Sequence, residues 1–132
     1  MSMEWKYVKQ TTADKINYVE KCCEIHLPED LKEFILQYNN GRPIKSTFDS
    51  ERTKGLEIKK LLSYNEDDKE SIYTFLEVIR SENKSLFPVA SEPAGDFICL
   101  DTSNNKIVHY NHETTSIEFI SNSFSEFIKK LY

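Results

Sequence analysis

The sequence predicts an α+β domain in which a mostly antiparallel central sheet is packed and wrapped by about four helices. Three observations carry this reading. The stretch Phe87–Glu113, FPVASEPAGDFICLDTSNNKIVHYNHE, holds three short apolar segments separated by turn-forming residues, the pattern of consecutive antiparallel strands. Four other segments repeat apolar residues at helical spacing. The chain has 132 residues, enough for one self-sustaining core. A single domain over residues 1–132 is therefore expected, with residues 1–11 as an N-terminal extension.

Thr12 is a good N-cap and Asp14 follows in the first turn, where a carboxylate meets the positive end of the helix dipole. Ile16, Val19 and Cys23 continue that helix to about Cys23. Pro28 breaks it and can open the next one, since a first-turn position needs no donor N–H. Leu31, Phe34, Ile35 and Tyr38 form the second stripe, and Asn39-Asn40-Gly41 stops it, with Gly41 expected to take the left-handed cap. Residues 42–54 are polar and weakly patterned, a loop with one short strand around Phe48. Residues 55–58 alternate and predict a strand at the edge of the sheet. Asn65 to Glu70 reads as an acidic helix entry, and Ile72, Phe75, Leu76 and Ile79 as the third stripe, ending near Asn83.

Phe87–Ala90 is the first central strand and leads to the turn Glu92-Pro93-Ala94-Gly95, where glycine points to backbone dihedrals that a β-carbon would oppose. Phe97–Leu100 is apolar throughout, as suits a strand covered on both faces. Asn104-Asn105 tolerates the positive φ that a hairpin into Ile107–Tyr110 needs. Ser116–Ile120 alternates as a further strand. Ser123 and Glu126 have capping-box spacing, and Phe124, Phe127, Ile128 and Leu131 make the buried face of a last helix.

The chain is 39% hydrophobic and 30% charged, the composition of a soluble globular protein. Its net charge of −5 argues against a nucleic-acid partner and favours a basic protein. The sequence shows no signal peptide and no membrane-spanning run. Three cysteines, two of them adjacent, do not make a disulfide framework, and a reduced cytoplasm is the simplest setting.

No residue declares a chemistry by itself. Cys99 lies in an apolar strand and is expected to be a packed, inert thiol. Cys22 and Cys23 project about 100° apart on a helix, without the gap of a redox pair. His109 and His112 are three apart on a strand and should leave opposite faces, so no metal site is expected, and no cofactor. Asp96, Asp101, Glu113 and Glu92 flank turns, where acidic residues ordinarily solvate strand ends. An acid–base hydrolase using Asp96, His112 and Glu113 ranks low, and no catalytic residue is assigned. Glu66-Asp67-Asp68, with Glu70, reads either as the favourable negative start of a helix or as a contact patch.

The order of these features resembles the SUKH superfamily, which includes fungal cell-wall-synthesis regulators and many bacterial immunity proteins. The resemblance rests on Leu27-Pro28-Glu29-Asp30-Leu31 running to Asn39-Asn40-Gly41, on Phe87-Pro88-Val89-Ala90 followed by Gly95-Asp96-Phe97, on Val108-His109-Tyr110-Asn111-His112-Glu113, and on Ser123–Phe127. Pro28, Gly41, Gly95, His112 and Glu113 are the structural positions of these motifs. Tyr110 and Asn111 stand where the family commonly has Trp and Asp. The resemblance implies a non-catalytic α/β domain that binds another protein. In bacteria such domains typically neutralise a polymorphic toxin, often a nuclease, by direct binding.

The functional expectation is a cytoplasmic immunity protein that blocks a cognate, basic toxin domain. The alternative is a regulatory interaction module acting on a cellular partner. Two groups of contacts are expected. The preferred one is Glu92, Asp96 and Asp101 with Phe97 and Tyr110 beside them. The other is Glu66, Asp67 and Asp68.

Overall fold

The computed structural model of the protein describes residues 4–132. Its centre is a five-stranded antiparallel meander of β5 (Lys60–Leu61), β6 (Leu86–Ser91), β7 (Phe97–Asp101), β8 (Lys106–Tyr110) and β9 (Ile117–Ser121), each paired with its neighbour in sequence. Around it stand helices α1 (Ala13–Cys23), α2 (Glu29–Tyr38), α3 (Ile72–Glu82) and α4 (Phe124–Lys129). Two small ribbons complete the domain: β1 (Trp5–Lys6) with β2 (Arg42–Pro43), and β3 (Thr47–Phe48) with β4 (Leu56–Glu57). The α+β class and the antiparallel sheet are thus as the sequence predicts. No described helix is long and apolar enough to cross a membrane.

Alternation along the strands sorts the core into two parts. Phe87, Ile98, Leu100 and Ile107 join Ile16, Val19, Leu31, Ile35, Phe124 and Phe127 in the larger cluster. Leu86, Phe97, Cys99, Val108 and Tyr110 join Ile79 in the smaller one, with Phe75 of α3 against the Phe97 ring at 4.8 Å. β7 is covered on both faces, and burial pushes the Cys99 thiol far above its ordinary pKa. A bulky thiol reagent should therefore label Cys99 only after denaturant is added; rapid native labelling would contradict this packing.

Local chemistry explains most element ends. Thr12 Oγ1 accepts from Lys15 N at 3.3 Å and starts α1. Ser123 Oγ accepts from Glu126 N at 3.1 Å and starts α4. Asn105 takes the positive φ of the β7–β8 turn.

Several expectations are corrected. Pro28 is the N-cap of α2 rather than its first residue, contributing its carbonyl to Lys32 N. The left-handed residue after α2 is Asn40, with φ 68°, not Gly41. Gly41 is required for closeness instead: a β-carbon there would lie 2.7 Å from the Tyr38 carbonyl oxygen and 3.1 Å from the Trp5 ring. Leu56–Glu57 pairs with β3 in a separate ribbon, and the edges of the main sheet are β5 and β9. Residues 65–70 form turns, so their acids lie outside α3, whose first turn carries none. The N-terminal extension is tied down from Glu4 onward: β1 pairs with β2, Lys9 N bonds Asn39 O, and Asn40 Nδ2 bonds Tyr7 O. Residues 1–3 lie outside the described residues.

Candidate functional site

The β6–β7 turn builds a corner of histidines and carboxylates. Glu92 N donates to Asp96 O at 2.9 Å and Gly95 N to Glu92 O at 3.0 Å, so residues 93–95 make a three-residue loop closed by a glycine at φ +93°. That dihedral suits glycine alone. The turn aims Glu92 and Asp96 toward β8, where His109 sits in register opposite Ile98 on one side and Glu118 on the other. His109 Nδ1–H donates to Glu92 Oε2 at 2.6 Å, with both side chains almost fully buried. His109 Nε2 faces Asp96 Oδ2 at 3.6 Å. His112, just past the end of β8, holds the other Asp96 oxygen through Nδ1 at 2.7 Å and through its backbone N–H at 3.2 Å. The two histidines therefore do not diverge as strand geometry suggests, because the chain turns after Tyr110 and both reach Asp96.

Burial pushes the Glu92 carboxyl above its ordinary pKa, against the pull of the adjacent His109. For His109 burial acts downward, but the hydrogen bond and charge of Glu92, with the charges of Asp96 and Glu118, outweigh it and raise the imidazole. Both shifts run in the direction that favours a proton on this pair. Glu118 is held below the usual carboxylate range by the Ser50 hydroxyl first, then by Thr53 and Arg52, despite partial burial.

This geometry makes Gly95 the turn's weak point. Gly95→Val should cost about 1–3 kcal/mol from the strained dihedrals, since the added β-carbon itself would meet only the His112 Cε1 at an ordinary contact distance of 3.4 Å. Thermal unfolding reads this directly, and an unchanged midpoint would contradict it.

Of the residues expected to meet a partner, the structure brings Glu92 and Asp96 together but withdraws others from the surface. Glu92, Phe97 and Tyr110 are buried. The Tyr110 hydroxyl donates to Glu82 at 2.7 Å. Asp101 caps its own turn, accepting from the Ser103 N–H at 2.9 Å and hydroxyl at 2.6 Å. Glu113 is exposed, and its N–H is taken by Asn111. Asp68 is a structural clasp, receiving Ser63 Oγ at 2.6 Å, Asn65 Nδ2 at 3.0 Å and Lys9 Nζ at 3.1 Å. The aromatics that made the strand-end turns attractive for docking thus belong to the core. Glu66 and Asp67 do stand exposed.

Beside them lies a surface that sequence reading missed. Tyr18 of α1 is 56% exposed. With Asp14, Lys15, Glu66 and Tyr73 it lines a recess of about 200 Å³, and Tyr64, Asn65 and Asp67 line an adjoining one of about 240 Å³. Two phenols flanked by carboxylates make an acidic, aromatic-lined face. A helical projection of α1 places Tyr18 off the Ile16–Val19 stripe, but its meeting with Glu66 and Tyr73 is tertiary. His109 was equally detectable only in part. A histidine alternating with Ile107 on a core-facing row demands polar partners, and Glu118 shows its role only once register is known.

The family described as SUKH_6, SMI1-KNR4 cell-wall, matches residues 13–128, from the first residue of α1 into α4. One curated relative is the SPbeta prophage-derived uncharacterized protein YokK of Bacillus subtilis (strain 168). It is 36% identical over 52 residues, covering 36% of this chain and 27% of that protein. The match thus spans about a quarter of that relative's own length.

Proposed function

The chain belongs to the SMI1-KNR4 (SUKH) family, and from that premise we propose that it is an immunity protein that binds a cognate toxin domain in the cytoplasm and neutralises it by occlusion. Family membership supports a protein partner. The mode of binding rests on one observation, the exposed face where Tyr18 and Tyr73 meet Glu66 and Asp67. Glu66 and Asp67, exposed and in no salt bridge among the described residues, steer a basic partner, and tyrosines supply rigid anchoring area at low entropy cost. A net charge of −5 adds to the steering, and a basic nuclease is the complementary toxin class. No catalytic residue is part of this mechanism, which needs only that the bound face cover the toxin's active site.

Co-expression with a toxin domain encoded beside it tests this proposal by growth rescue. Wild type should restore growth, and Tyr18→Ala combined with Glu66→Lys should not, while remaining folded. Binding without rescue would favour a regulatory interaction module, and absence of both would remove the immunity reading.

A further inference from the structure

We propose that the β6–β7 corner is a divalent metal site, in which His109 Nε2 and Asp96 Oδ2 bind one first-row transition ion such as Zn2+. Glu92, Asp96 and His109 each offer a ligand atom, and these atoms lie within 4.8 Å of one another. The two ligands are oriented from behind. Glu92 engages Nδ1 of His109 at 2.6 Å, so that an ion at Nε2 would take the place of the ring's second proton, the arrangement in which metal-binding histidines are commonly held. His112 takes one Asp96 oxygen through both its ring and its backbone N–H, leaving Oδ2 turned to His109.

The His109 side chain is only 6% exposed, and its Nε2, which solvent still reaches, makes no hydrogen bond among the described residues. The 3.6 Å to Asp96 Oδ2 is too long for a hydrogen bond. It is the separation that two ligands at about 2.0–2.2 Å adopt around one ion at a near-tetrahedral angle. Charge points the same way. Glu92, Asp96 and Glu118 all surround His109, and among the described residues the only Lys or Arg within reach of them is Arg52, 4.0 Å from Glu118. Apart from the His109 imidazole itself, the corner is therefore short of positive charge. An imidazole–carboxylate pair favours zinc, nickel or cobalt over magnesium or calcium. Solvent completes the coordination shell on the side where His112 is 44% exposed.

The test uses chelator-stripped full-length protein carrying Cys22→Ser and Cys23→Ser, so that thiols on α1 do not compete. Titration with Co2+ should give a saturable ligand-field absorption at one equivalent, displaced by Zn2+. His109→Gln and Asp96→Asn should each abolish saturable binding, and Glu92→Gln should weaken it roughly 10–100-fold through the second nitrogen. His26→Gln should leave it unchanged. Circular dichroism checks that each variant is folded; if His109→Gln is not, Asp96→Asn in the more exposed turn decides. Absence of saturable binding to the parent protein would overturn the proposal. So would binding that survives in Asp96→Asn at full affinity, or that is lost only in His26→Gln.

Discussion

Phe127→Ala should lower the stability of the protein by about 3–5 kcal/mol, read as a shift in the denaturant midpoint. Phe127 is fully buried and is the meeting point of elements far apart in sequence. Its ring packs edge-on against Phe48 of β3 at 5.3 Å and lies 5.8 Å from Phe124, which in turn contacts Phe34 of α2 at 5.2 Å. Truncation removes apolar area and leaves a cavity that the short α4 cannot fill without breaking its tie to α2, where Asp30 Oδ2 accepts both the N–H and the hydroxyl of Ser125. Lys129→Ala, on the exposed side of the same helix, should change the midpoint little. Equal effects from the two substitutions would contradict the assignment of α4's buried face.

Asn39→Ala should cost about 2–4 kcal/mol by a different route. Asn39 is completely buried, and its amide joins three segments: Oδ1 accepts from Tyr64 N at 2.8 Å, while Nδ2 donates to Lys9 O at 3.2 Å and Ser63 Oγ at 3.0 Å. Removing it strands the Tyr64 N–H in the core, and an unmade buried bond costs more than a made one contributes. Asn39→Asp should also be destabilising, since it keeps the acceptor but loses both donors and buries a charge. Wild-type stability in either variant would show that the amide is not the clamp described here.

Asn39 also marks where sequence reading reached its limit. The Asn39-Asn40-Gly41 run was legible as a helix stop because those residue types disfavour helix continuation. That the two amides also fasten the N-terminal segment required knowing which backbone groups arrive beside them. The strands of the meander were legible because β7 is apolar at consecutive positions and its turns carry glycine or asparagine where positive φ occurs. The short ribbons were less so, since two-residue strands have no period to detect, and Leu56–Glu57 found β3 rather than the sheet edge. The acids before α3 looked like a helix start because charge at a helix N-terminus is favourable, but Asp68 is drawn instead to Ser63, Asn65 and Lys9. At the candidate sites, Asp96 and His112 were recognisable from their turn. Their convergence with His109 came from a change of direction after β8 that local sequence does not encode.

The position of the docking face is tested most directly by comparing two charge reversals for binding to a toxin domain whose lethality the wild type suppresses. Association rates at low and high salt are measured for Glu66→Lys/Asp67→Lys and for Asp101→Lys, each shown to be folded. The paired reversal at Glu66 and Asp67 should slow association roughly 10-fold or more at low salt, with the effect shrinking as salt screens the charges, while Asp101→Lys associates like wild type. Loss of binding confined to Asp101→Lys, with the Glu66/Asp67 pair indistinguishable from wild type at both salt concentrations, would place recognition at the strand-end turns and contradict the face proposed here.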